Sequence, residues 1–125
     1  MNTKRTTSYS FILLLGFFLT CPVSAVDIIW VGGGYDDDNN GIQDDLPWID
    51  MLTTQGYTVD NRPVYWRTLD AGKLAELEAA DLIIVSRCTN SGEYDDGAEV
   101  TQWNSISSPL ILMSAHIARS SRWKD

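Results

Sequence analysis

Two segments of this sequence are apolar at successive rather than alternate positions, D-I-I-W-V-G-G-G from Asp27 to Gly34 and D-L-I-I-V-S-R from Asp81 to Arg87, and P-L-I-L-M-S from Pro109 to Ser114 reads as a last strand. An extended chain turns successive side chains to opposite faces, so such a run is buried only if both faces of its sheet are covered. That situation belongs to parallel sheets flanked by helices. The segments between the runs supply the expected cover. Trp48, Ile49 and Leu52 share one apolar helical face behind Asp45 as N-cap and Pro47 in the first turn, and Gln55-Gly56 ends that helix. Tyr57-Thr58-Val59 reads as a short second strand. A second helix is predicted from a Thr68 cap to about Ala80, with Leu74 and Leu77 inward, and Val100, Trp103 and Ile106 mark a short third.

Strand, helix, strand, helix, strand, helix, strand is the pattern of an α/β fold, an open parallel sheet of about four strands with helices on both faces. Right-handed crossovers about a central first strand give the order 2-1-3-4. The last strand is followed by R-S-S-R-W-K-D, where a fourth helix is expected to begin, so the sequence reads as a domain truncated at its C-terminal side. An uncovered edge strand is a pairing liability, which points the same way.

Residues 1–25 read as a signal peptide: Lys4 and Arg5, an apolar run from Phe11 to Leu19, and small residues at Val23-Ser24-Ala25 ahead of cleavage after Ala25. The run is short of the roughly 20 residues that cross a bilayer. Cys21 after that run offers a lipoprotein alternative, against which the bulk of Thr20 speaks. Residues 26–125 are then one secreted, periplasmic or cell-surface domain. Its only cysteine is Cys88, so no disulfide supports it. The full chain carries 9 Lys and Arg against 17 Asp and Glu, and losing Lys4 and Arg5 takes its formal charge from −8 to −10. Such a surface repels nucleic acid and anionic membranes, and leaves cations, glycans and proteins as partners.

The stretch Y-D-D-D-N-N-G-I-Q-D-D-L-P-W places oxygen side chains at positions 1, 3, 5 and 9 of a loop counted from Asp36: Asp36, Asp38, Asn40 and Asp44. Gly41 stands at position 6 and Ile42, with its backbone carbonyl, at position 7. This is the D-x-D-x-[DN]-G spacing of calcium loops, and it is similar to the short D-x-D-x-D-G-x-x-D loop of thrombospondin type 3 and dockerin-like repeats. It departs from the helix-loop-helix form, since Pro47 stands where a bidentate glutamate belongs. Two readings stand side by side: a weak calcium site, or a solvated acidic loop at a helix N-terminus, where carboxylates are favoured in any case. Nucleotide binding at Gly32-Gly33-Gly34 is disfavoured, because the phosphate-loop spacings are absent and carboxylates follow.

Ligands of open α/β sheets bind beyond the carboxyl ends of the strands. There the sequence places Gly32 to Tyr35, Arg87, Cys88, Asn90, Ser114, Ala115 and His116, with Arg87, Cys88, Ser114 and His116 as the candidate ligand-binding residues. A Cys88–His116 pair is one conceivable catalytic arrangement and Ser114 another nucleophile, but the L-M-S-A-H context lacks the glycines of a nucleophile elbow.

Taken together, D-I-I-W-V, the acidic glycine loop, Q-G-Y-T-V-D, A-A-D-L-I-I-V-S-R and P-L-I-L-M-S resemble the class I glutamine amidotransferase-like, flavodoxin-like domain of large secreted bacterial proteins. That domain often precedes laminin-G-like modules. The resemblance implies a shared sheet and further domains in an intact parent chain. The family's Cys-His-Glu arrangement has no matching positions here, which favours a non-catalytic module over a hydrolase-like or amidotransferase-like enzyme.

Overall fold

A computed structural model describes residues 27–119 and Trp123, and the expected signal peptide lies outside the described residues. Four strands form one parallel sheet: β1 (Asp27–Val31), β2 (Thr58–Asn61), β3 (Leu82–Val85) and β4 (Leu110–Leu112), in the spatial order β2-β1-β3-β4. Three helices connect them, α1 (Leu46–Thr54), α2 (Ala71–Ala79) and α3 (Glu99–Ser105). The register sets Ile29 beside Ile83 and Val31 beside Val85, so the two central strands present matched rows to each face.

The predicted order and the both-face burial of β1 and β3 are therefore found, and the alternation of side chains divides the core in two. Ile29, Val31, Ile83 and Val85 face a large cluster closed by Leu77 of α2, Trp103 of α3, Trp66, Tyr94, Ile117 and Trp123. Ile28, Trp30 and Ile84 face a smaller one closed by Ile49 of α1. Along β4 cover is incomplete on both faces: Ile111, beside Ile84, is exposed on this second face, and Leu110, beside Ile83, on the first.

Several local expectations are corrected. Helix α2 is capped by Asp70 rather than Thr68: the Asp70 carboxylate accepts from Lys73 N at 2.9 Å, satisfying one of the helix's free amides. Trp48 is 47% exposed, since α1 lays Ile49 on the sheet and only partly buries Leu52. Tyr57 lies outside β2, which runs on to Asn61. The C-terminal stop of α1 is as expected, with Gly56 at φ +94 just past the Gln55 cap. Asp45 occupies the N-cap position of α1 but makes no side-chain cap bond, because its carboxylate is used elsewhere. That other use defines the edge of the sheet where the strands end.

Candidate functional site at the carboxyl edge of the sheet

The carboxyl ends of β1 and β3 are locked together by a buried polar knot. Asp45 is 4% exposed, and its Oδ1 accepts a short hydrogen bond from the Ser86 hydroxyl. The Ser86 oxygen in turn accepts from Cys88 N at 2.9 Å, and Gly33 N donates to Cys88 O at 3.1 Å. Gly32 is required at this crossing. A Cβ there would stand 2.4 Å from Asp45 Oδ2, so any side chain would push the aspartate off the serine. A buried carboxylate without hydrogen bonds would be strongly unfavourable, so the Ser86 bond is what lets Asp45 sit inside.

A second cluster stands beside it. The Tyr35 hydroxyl donates to Glu93 Oε2 at 3.1 Å, and Arg67 approaches the same oxygen, its Nε at 2.9 Å. That contact is a charge pairing rather than a hydrogen bond, since the buried Nε–H has no acceptor of good geometry. Burial, and then the bond to Glu93, push the Tyr35 phenol upward, so it stays protonated as the donor. Gly33 allows the ring its place: a Cβ there would lie 2.1 Å from Tyr35 Cε2. Arg67 is delivered by the loop after β2, where Val64 holds φ +62. A β-branched residue is strained in that region, and the turn is tied down by Val64 N donating to Gly32 O at 3.1 Å. Tyr94 lies under the cluster, fully buried, its hydroxyl beside Arg67 without a hydrogen-bond partner, and burial drives its phenol well upward.

Between these two groups opens a cleft of about 320 Å³ lined by Tyr35, Asp37, Arg87, Cys88, Thr89 and Asn90. Of the residues that the sequence places along this edge, Tyr35, Arg87, Cys88 and Asn90 line it. Ser114 and His116 do not: Ser114 is buried and its carbonyl accepts from Ile117 N at 3.2 Å, which turns His116 out to solvent. Among the described residues no hydrogen bond joins His116 to Cys88 or to Ser114. Burial first, and the Asp45 carboxylate second, push the Cys88 thiol upward. That is opposite to the shift that prepares a cysteine nucleophile.

The acidic loop forms the outer wall of the same cleft through Asp37. Carboxylate oxygens of Asp36, Asp38 and Asp44 all lie within 4.8 Å of one another. Asp36 accepts from Asn40 N at 3.0 Å and from Gly41 N at 2.8 Å, with Gly41 at φ +84 making the sharp bend its position requires. Asn40 is less available than predicted, since its Oδ1 accepts from Ile42 N at 2.8 Å and its amide donates to Asp38. The Ile42 side chain is exposed.

Sequence reading missed Asp45, Arg67, Ser86 and Glu93 as members of this edge. The signal for one pair was present: Ser86 is the polar residue that ends the apolar β3 run, and such a residue needs a buried partner. For Arg67 and Glu93 no local pattern pointed to their meeting.

No helix among the described residues is long and apolar enough to cross a membrane. No family model, no curated protein and no solved structure matches this chain.

Proposed function

We propose that this chain is a non-catalytic, exported α/β module that binds a ligand or partner at the carboxyl edge of its sheet, with the acidic loop held by calcium, within a larger surface protein. The observation that carries the reading is the Tyr35 wall of the cleft. Its ring is fixed by the absence of a side chain at Gly33 and by the bond to Glu93, and it stands beside Asp37, Arg87, Thr89 and Asn90. A rigid aromatic ring with directional donors and acceptors of both signs suits a hydroxyl-rich neutral ligand such as a glycan, or a polar segment of a protein. The upward-shifted Cys88 thiol supports the non-catalytic side of the reading. The resemblance to the amidotransferase-like domain of secreted bacterial proteins supports the export and the parent chain.

In calcium, the role of Asp36, Asp38 and Asp44 is to supply carboxylate ligands, with Asn40 and the Ile42 carbonyl as the further oxygens, and to hold Asp37 against the cleft. The test is a panel of neutral oligosaccharides screened on an array and confirmed by calorimetry. Binding is expected for the native chain, weakened by Asn90→Ala, and weakened further by Gly33→Ala, which displaces the ring. In parallel, alkylation of Cys88 by iodoacetamide at neutral pH is expected to run slower than for a free thiol. Rapid alkylation that is blocked by a carbonyl substrate analogue would overturn the non-catalytic assignment.

A further inference from the structure

Asn40 is the one asparagine of the sequence that a glycine follows. A glycine leaves the peptide nitrogen after an asparagine with no side chain to shield it and with a backbone free to turn. The surroundings are open as well: Asn40 and Gly41 are both exposed, and a Cβ added at Gly41 would meet nothing within 4 Å. The pair therefore offers an electrophile, the Asn40 amide carbon, and a nucleophile, the Gly41 nitrogen, on adjacent residues.

The loop ties down both partners. Gly41 N donates to Asp36 Oδ2 at 2.8 Å, the Asn40 side-chain oxygen accepts from Ile42 N at 2.8 Å, and Asn40 Nδ2 donates to Asp38 Oδ2 at 2.9 Å. Asn40 N is held too, by Asp36 Oδ1 at 3.0 Å. Ring closure turns the Asn40 amide carbon onto Gly41 N, a movement that breaks the bonds fixing the amide to Ile42 and Asp38. The carboxylates oppose it a second time, because the attacking nitrogen must give up its proton beside Asp36 and Asp38. Both effects act in one direction, so the folded loop is a brake on a reaction that its sequence invites.

We infer that Asn40 is a site of spontaneous deamidation, gated by the Asp36 brace. The Gly41 nitrogen forms a bond to Asn40 Cγ as the Cγ–Nδ2 bond breaks, and Nδ2 leaves as ammonia with the proton that Gly41 N gives up. Water then opens the cyclic imide. Addition at Cγ yields aspartate, and addition at the Asn40 backbone carbonyl yields isoaspartate, in which the main chain runs through the side-chain carbon. Either product carries a carboxylate where the amide donated to Asp38, so an attraction becomes a repulsion beside Asp36, Asp38 and Asp44. The reaction is thus a one-way loosening of the loop that holds Asp37 at the cleft.

The test is incubation of the purified chain in mildly alkaline buffer, followed by intact mass and peptide mapping, with chelator present so that the outcome does not depend on calcium. Exchange of an amide for a carboxylate is expected at Asn40 before any other asparagine, and is expected to be absent from that position in Asn40→Gln, whose longer side chain must close a larger ring. The native chain is expected to react more slowly than the same chain in urea. Asp36→Ala removes the acceptor of Gly41 N and is expected to react about tenfold faster than the native chain, the scale of one hydrogen bond to a charged group. Asp38→Ala frees the amide nitrogen instead and is expected to give a smaller acceleration. Asp37→Ala removes a neighbouring charge but none of these bonds, and is expected to stay close to the native rate. Equal rates in the native and unfolded chains, an Asp36→Ala rate no higher than that of Asp37→Ala, or earlier conversion at another asparagine would each overturn the inference.

Discussion

Two loops meet at the carboxyl edge, and they are held by opposite means. The loop after β1, from Gly34 to Asp44, is braced by its own bonds: Asp36 to the amides of Asn40 and Gly41, Asn40 to Ile42 N, and Asp44 N to Tyr35 O at 2.9 Å. The loop after β3, from Arg87 to Ala98, is braced from outside. Glu93 takes Tyr35 and Arg67, Tyr94 is wholly buried against Trp103 and Trp123, and Trp123 Nε1 donates to Tyr94 O at 2.8 Å. Local bracing leaves a loop dependent on whatever neutralises its carboxylates, whereas distant bracing makes a loop part of the core. The first loop is therefore the place for an ion-dependent element, and the second a fixed wall.

The largest effect expected from this contrast is at Tyr94. Tyr94→Ala removes a buried ring from the stack in which Trp103 and Trp123 lie 4.4 Å apart, and is expected to lower stability by about 3–5 kcal/mol. Tyr94→Phe keeps the ring and deletes a hydroxyl that has no partner, so chemical denaturation should show it equal to or slightly more stable than the native chain. A small loss in the alanine variant would mean that the second loop is not anchored by its packing after all.

The same contrast explains which parts of the molecule were legible in the sequence. The sheet could be read because I-I-W-V and L-I-I-V declare their burial over four successive residues, and the acidic loop because its bonds span only two to nine positions. Glu93 and Tyr35 are 58 residues apart, and neither stands in a pattern that names the other. Their meeting follows only once β1 and β3 are neighbours and the turn at Val64 has aimed Arg67. Asp45 was misread for a related reason. At a helix start an aspartate is expected to cap, but here the buried hydroxyl of Ser86, just past the end of β3, competes for the same carboxylate and takes it. Trp48 was misread because a single-helix face two residues wide cannot seat an indole while Ile49 and Leu52 also face inward.

An intermediate effect tests the first loop. Bringing Asp36, Asp38 and Asp44 together concentrates like charge, which a divalent cation relieves. With the glutamate of a full calcium loop missing, the affinity expected is on the order of 10⁻⁴ to 10⁻³ M. Calcium at about 10 mM should then stabilise the chain by about 1.4–2.7 kcal/mol relative to chelator, read as a rise in Tm. Asp36→Asn should remove that rise, while Tyr94→Phe should leave it intact. A rise that persists in Asp36→Asn would place the ion elsewhere and dissolve the distinction between the two loops.

The smallest effect lies where the second loop runs into α3. Glu99 is 6% exposed and its Oε2 accepts from Asp96 N at 3.1 Å. Burial, the largest influence, lifts its carboxyl above the ordinary range, with the Asp96 amide pulling the other way. A carboxyl whose folded-state pKa is raised binds its proton more tightly in the folded chain, so its contribution to stability is fully present at low pH. It is lost as pH climbs through the raised value. Glu99→Gln keeps an oxygen for Asp96 N and removes the titration. The variant's stability relative to the native chain should therefore increase as pH rises from about 4 toward neutrality, read from denaturation midpoints at matched ionic strength. A difference that shrinks over that interval would mean the amide bond outweighs burial. The end of the second loop would then be held by its own hydrogen bonds, in the manner of the first.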